Sequence, residues 1–232
     1  MRAISSMATR HLLGDLFTAA SAAGLPPVDL TSVGGVDAAA RVADGEPFDL
    51  VILADDALHR LAADGRVAAD TVTPLVLSQV AAAIPAEGEG PAARAEGSAF
   101  PDTAGFRAAL RAADRIGYST GPSGTALIRM IEAWALRDEL GPRLVQARPG
   151  VPVATLLARG EVAIGLQQLS ELVGQPGIRI LGVLPEDSAI DTVFSGAVAT
   201  AAADPVGAAA LLAFLASAEA APVKAAHSFA AP

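Results

Sequence analysis

Cysteine is absent from the 232 residues, and tryptophan and tyrosine occur once each. Without cysteine there is no disulfide, no thiolate metal site and no cysteine nucleophile in any compartment. Three scattered histidines and no clustered carboxylates offer no metal-ligand spacing, so neither a metal nor a cofactor is assigned. Basic side chains are scarce, 16 against 25 acidic ones, for a net charge of -9. A chain of that sign has no surplus to neutralise phosphates, which argues against nucleic acid or an anionic membrane surface as a partner. An anionic ligand would have to be met by local donors. Long apolar runs are missing too. The richest stretch, 198–221, is alanine-rich and carries Asp204, Pro205 and Glu219, so no transmembrane segment is read. No basic region and apolar run stand at the start, where Arg10 and His11 interrupt the pattern. As written, the chain reads as cytoplasmic, or as periplasmic if a leader has been removed.

What is present is short β-rich runs alternating with helical patterns, the signature of an α/β protein with a largely parallel sheet wrapped by helices. Ala3-Ile4 ends a strand, Ser5-Ser6 turns, and a helix follows from about Met7 to Ala23, stopped by Gly24 and Pro26-Pro27. Val28 to Val33 is a strand, Gly34-Gly35 a tight turn and Val36 to Ala43 a helix. Phe48 to Leu53 is a buried strand, after which Asp55 and Asp56 open a helix ending near Gly65, where capping is the expected role of the two carboxylates. Thr73 to Ile84 is long enough to leave one sheet and enter another. Pro85 to Pro101, rich in glycine, proline and glutamate without hydrophobic period, is expected to be a mobile, solvated loop.

A second alternating set follows. Helices are expected over Thr103–Ala113, Thr125–Glu139 and Val153–Ala158, and strands over Arg115–Tyr118, Leu144–Ala147, Val162–Leu166 and Ile178–Leu181. Thr192 to Thr200 would carry the chain back to the first lobe, where Pro205 opens a closing helix, Val206–Ala216. Two crossings imply two lobes, 1–78 with 191–232, and 79–190.

Ligands of open parallel sheets bind beyond the carboxyl ends of the strands, where helix N-termini present unpaired amides. Four turns qualify: Ser5-Ser6, Gly34-Gly35, Ser119 to Gly124, and Gln167-Gln168. Ser5 and Ser6 offer hydroxyls, with Arg10 one helical turn beyond Ser6; a serine cap and a surface arginine would look the same. Gly35 permits close backbone approach, or merely a turn. Ser119, Thr120, Ser123 and Gly124 combine hydroxyls, glycine and a rigidifying Pro122 as an anion nest would, or as a plain capped turn would. Gln168 is a neutral donor or a solvated side chain. The nucleotide-cradling lysine, Gly-x-Gly-x-x-Gly and the Gly-x-Ser-x-Gly elbow are all absent at these turns, which counts against nucleotides and serine hydrolysis.

At these turns the sequence resembles the molybdate-binding-protein-like branch of the type 2 periplasmic binding proteins. Five segments carry the resemblance in order: Ile4 to Thr9, Ser32 to Asp37, Phe48 to Ala54, Ile116 to Gly124, and Gly165 to Glu171. The resemblance implies two α/β lobes joined by two crossing strands, closing on a small anion held by serine hydroxyls and helix-terminal amides. On this chain that ligand set is Ser5, Ser6, Arg10, Gly35, Ser119, Thr120, Ser123, Gly124 and Gln168. Molybdate binders commonly have a tyrosine where Gln167-Gln168 stands, and a serine where Gly34-Gly35 stands. Those departures count against molybdate itself, and the planar fork of Arg10 suits a carboxylate, so the expected ligand is an organic carboxylate or a small oxyanion. Aconitate isomerase resembles the same branch, so a second reading is cofactor-free isomerisation of a tricarboxylate by allylic proton shift, with His11 and Glu171 as candidate bases. A transporter partner follows only for an exported chain.

Overall fold

The computed structural model describes residues 1–86, 90–148 and 150–232. They divide into two compact units, Met1–Leu77 with Thr192–Pro232, and Ser78–Asp191.

Unit 1 begins with β1 (Arg2–Ser6), a 3-10 turn over Met7–Thr9 and α1 (Arg10–Ala22), followed by β2 (Asp29–Val33), α2 (Gly35–Ala43), β3 (Leu50–Ala54) and α3 (Asp55–Ala63). β1 lies between β2 and β3, parallel to both, with Ser5 opposite Ser32 and Ile52. β4 (Thr73–Pro85) carries the chain out of this unit, and β9 (Asp191–Val198) brings it back, pairing antiparallel with β3. The expected parallel sheet is therefore mixed. α9 (Pro205–Ala216) and α10 (Ala221–Ala226) complete the unit, α10 lying beyond the last helix the sequence pattern predicts.

Both faces of this sheet are covered, which is why β3 is an unbroken apolar run. Leu50 and Ile52 meet Leu12, Leu13 and Leu16 of α1 and Leu211, Leu212 and Leu215 of α9. Ile4, Val51 and Leu53, on the opposite face by the two-residue period of a strand, meet Ala38 and Val42 of α2 and Leu58 and Leu61 of α3. No single helix among the described residues is long and apolar enough to cross a membrane.

Unit 2 contains the remainder of β4, then α4 (Thr103–Ala112), β5 (Ile116–Tyr118), α5 (Pro122–Ala133), α6 (Arg137–Leu140), β6 (Leu144–Gln146), α7 (Val153–Ala158), β7 (Ile164–Gln168), α8 (Leu169–Leu172) and β8 (Ile178–Val183). β5 runs parallel to β6 and β7, while β4 runs antiparallel to β7 and β8. One face packs Ile116, Ile164 and Leu166 under Leu127 and Ile131 of α5. The other packs Ala81, Ala83 and Ile180 under Val153 and Leu157 of α7.

Three expectations change here. The helix expected from Thr125 to Glu139 starts at Pro122, whose fixed φ suits the first helical position. It stops at Ala133, because Leu136 N–H bonds to Ile131 O at 3.0 Å and Ala135 N–H to Glu132 O at 2.9 Å, a Schellman closure that holds Ala135 at φ 56°. The strand expected to end at Leu166 runs on through Gln167 and Gln168, and Gln168 then stands at the N-cap of α8, so the expected strand-to-helix turn lies there. Of the loop expected to be mobile, 87–89 lie outside the described residues; Gly90 onward is tied down. Ala92 is buried, its N–H bonded to Gln175 O at 2.9 Å, and Ala99 N–H reaches Val183 O at 2.7 Å. That segment covers the open edge of β8, which would otherwise leave backbone groups unpaired.

Candidate functional site

Unit 1 collects its polar groups where β1, β2 and β3 end and α1, α2 and α3 begin. Ser5 is fully buried, and its hydroxyl is engaged with Ser32 Oγ at 2.8 Å and Ser6 O at 3.2 Å. It holds the β1–β2 pair and orients Ser32, a hydroxyl that sequence reading passed over although it closes β2. Ser6 caps the following 3-10 turn, accepting from Ala8 N–H at 3.3 Å. A carbon placed on Gly35 would sit 3.7 Å from Ser6 Oγ, so this hydroxyl and the start of α2 adjoin. Gly34 caps α2 without a side-chain bond, which leaves its first amides to solvent or ligand. Arg10 is exposed, its guanidinium 3.2 Å from His11 Nε2, so these two predicted residues stand together.

Asp55 does not cap α3. No side-chain bond closes that helix start; Asp55 Oδ1 instead accepts from the hydroxyl of Ser195 at 2.5 Å, and Oδ2 lies 3.3 Å from His59 Nε2. Ser195 is fully buried on β9, where the sequence signal was a serine set between Phe194 and Gly196 in the apolar half of the strand. Asp56 pairs outward with Arg60 at 2.8 Å.

In unit 2 the turn Ser119–Gly124 folds onto itself. Ser119 Oγ and Ser123 Oγ are 2.9 Å apart, and Ser123 is buried. A carbon on Gly124 would fall 1.8 Å from the carbonyl oxygen of Ser119, so glycine is obligatory there. Thr120 is exposed at the same turn. The first amides of α5 lack a carbonyl four residues back inside the helix and face this turn. Gln168 sits two residues beyond Leu166, which pairs with Tyr118, and shares the α5-facing side of β7 with Ile164 and Leu166. That puts it at the end of the sheet where α5 begins. Gln168 is 3% exposed, and its Oε1 has no hydrogen-bond partner among the described residues.

Gln167 points to the other face. Its Oε1 accepts from Val153 N–H at 2.8 Å, capping α7, and its Nε2 donates to Glu171. Burial pushes the Glu171 carboxyl above its ordinary range, only partly opposed by that amide. Glu171 thus belongs to the α7 side of the sheet, with Gln167. A separate cavity of about 610 Å³ in unit 2 is lined by Gly90, Pro91, Ala158, Gly174, Pro176 and Gly177, none of them ionisable. Among the described residues no three His, Asp or Glu side chains gather as a metal ion would need.

Donor-rich helix starts at the carboxyl ends of parallel strands, in two α/β units exchanged by two strands, define a type 2 periplasmic-binding-protein fold. The chain belongs to the bacterial extracellular solute-binding protein family, whose model matches residues 2–230. The periplasmic molybdate-binding protein of Azotobacter vinelandii superposes with a TM-score of 0.75 at 16% identity, over 100% of this chain and 99% of that one. The sulfate-binding protein SubI of Mycobacterium tuberculosis gives 0.73 at 17%, over 99% and 85%. In sequence the chain is 35% identical over 184 residues to an aconitate isomerase of a Pseudomonas species, covering 78% of this chain and 66% of that enzyme, slightly under two thirds of its length. The molybdate-binder resemblance read from the motifs, and its kinship with aconitate isomerase, are thereby shown.

Proposed function

We propose that the protein binds a small organic polycarboxylate, with Ser6, Arg10 and Gly35 the carboxylate-binding candidates of unit 1, where Ser5 acts through Ser32, and Ser119, Thr120, Ser123, Gly124 and Gln168 those of unit 2. The observation that carries this reading is the buried Gln168 amide, its carbonyl oxygen unpartnered beside the first turn of α5. An unmet buried polar group costs about 1–3 kcal/mol, a cost that a ligand hydroxyl would relieve, or a carboxylate oxygen once the amide turns to present its NH2 group. Arg10 adds a planar fork matched to a carboxylate.

A second reading is turnover of such a ligand: cofactor-free isomerisation of cis- and trans-aconitate. It is favoured by the 35% identity to aconitate isomerase. An exported form would hand its ligand to an ABC transporter, as binding proteins of this fold do.

Thermal unfolding with molybdate, sulfate, citrate and the two aconitates tests the binding reading. Ligand at 100 times its Kd adds about 2.7 kcal/mol. At roughly 2–4 °C per kcal/mol for a chain of this size, the midpoint rises by about 5–10 °C. A rise with the polycarboxylates alone is the expected result; a rise with molybdate or sulfate alone would replace the ligand class, and no rise with any would end the reading.

A further inference from the structure

A carboxylate that caps a helix accepts from that helix's first amides, but the cap position of α3 is Ala54, and Asp55 is its first helical residue. Asp55 makes no such bond. It spans to β9, accepting from the fully buried hydroxyl of Ser195 on Oδ1 at 2.5 Å, while the exposed His59 imidazole stands 3.3 Å from Oδ2. A carboxylate has about four acceptor sites, so each oxygen keeps a lone pair. The side chain is 35% exposed, anchored by Ser195 yet open to solvent.

Its place on the sheet gives this a use. Ser5 pairs with Ile52, so the next step of the register sets Ser6 beside Leu53, with Asp55 two residues further on. Ser6, Leu53 and the start of α2 share the face on which Ile4 and Val51 pack, and Gly35 adjoins Ser6 Oγ. β1, β2 and β3 run parallel, so Ser6, the start of α2 and Asp55 at the start of α3 stand along one edge of the sheet, where their strands end. A tricarboxylate held by Ser6 Oγ and the α2 amides would lie along that edge.

We propose that Asp55 is a catalytic proton-transfer group of this edge, with Ser195 and His59 as its positioning residues, acting on a carboxylic acid that has a CH2 between a carboxylate and a carbon–carbon double bond. The proposal rests on the isomerase reading above. A lone pair of Asp55 takes a proton from the CH2. The released C–H pair forms a new double bond to the central carbon, while the old double-bond pair moves to the far carbon and accepts a proton there, from Asp55 or from solvent that has exchanged with it. Substrate and product have the same atoms and electrons, so no co-reactant is needed. Ser195 and His59 fix the rotamer of the carboxylate, and the charge developing on the substrate spreads onto carboxylates held by hydroxyl and amide donors.

Proton NMR of cis-aconitate in heavy water reads deuterium uptake and trans product together; calorimetry with tricarballylate, which lacks the double bond, reads binding separately. Asp55→Asn is expected to lose about 100- to 10,000-fold in both exchange and isomerisation while tricarballylate affinity stays within about threefold. Ser195→Ala and His59→Gln are expected to lower kcat about tenfold at unchanged KM, a split that a merely structural role would not give. Exchange by Asp55→Asn at the wild-type rate would overturn the assignment and leave the isomerase reading standing. Should Asp55→Asn fail to fold, Asp55→Glu serves: a lower kcat with intact tricarballylate affinity supports the proposal, and an unchanged kcat overturns it. Wild-type protein that binds tricarballylate but neither exchanges nor isomerises would remove the isomerase reading, and the proposal with it.

Discussion

At Gly124 the room available is smaller than an atom. A methyl group there would lie 1.8 Å from the Ser119 carbonyl oxygen, which is backbone and cannot swing aside. Gly124→Ala is expected to cost about 1–3 kcal/mol or more, as overpacking does, and to abolish anion binding by displacing the Ser119–Ser123 hydroxyl pair; urea unfolding and calorimetry check the two effects. Glu171 gives a pH signature. Burial raises its native pKa above the unfolded value, so the folded chain holds more protons between the two, and stability falls as pH rises through that window. Glu171→Gln keeps an acceptor for the Gln167 amide and loses the charge. It is expected to flatten this slope and to raise the melting temperature at neutral pH, which scans across pH 4 to about 8 would read. Asp49 works the opposite way: burial alone would raise its pKa, but N–H groups of Arg2, Ala203 and Asp204 outweigh it and hold the carboxyl low. At this scale the sequence named Ser6, Ser123 and Gly124 as candidate donors from local turn chemistry. It was silent on Ser195 with Asp55, because 140 residues separate a pair that only strand register brings together.

Elements were legible wherever punctuation was local. Gly24, Gly45 and Gly65 all take positive φ at helix ends, and those ends were readable. The end of α5 was not, because the residue in the left-handed conformation is Ala135, which carries none of glycine's sequence signal. An L-residue there costs roughly 1–2 kcal/mol, so Ala135→Gly is expected to stabilise the chain by about 1 kcal/mol, measured by urea unfolding. The extension of β7 through Gln167 and Gln168 was equally hidden. Polar residues at the close of an apolar strand look like a turn until Gln167 is seen capping α7 and Gln168 is seen buried beside α5. The glycine-rich run after β4 misled for a related reason, since its composition is that of a free loop while the backbone of Ala92 is bonded to Gly174 and Gln175 and that of Gly97 and Ala99 to Val183 of β8.

Over the whole chain, the charge of -9 opposes the ligand it is proposed to bind. Long-range repulsion weakens as the Debye length shrinks from about 30 Å at 0.01 M salt to 8 Å at 0.15 M. The association rate of a citrate-like anion is therefore expected to rise with salt over that range, where electrostatic steering by a cationic surface would make it fall; stopped-flow titration tells the two apart. The division into two units was also visible in the pattern of alternation, because each unit repeats the strand–helix rhythm. The route between them has a consequence for synthesis. Ser78–Asp191 is one uninterrupted length, whereas Met1–Leu77 shares its sheet with β9 and its core with Leu211, Leu212 and Leu215. During synthesis β1, β2 and β3 thus emerge well before their sheet neighbour β9 and the part of their apolar cover that α9 supplies.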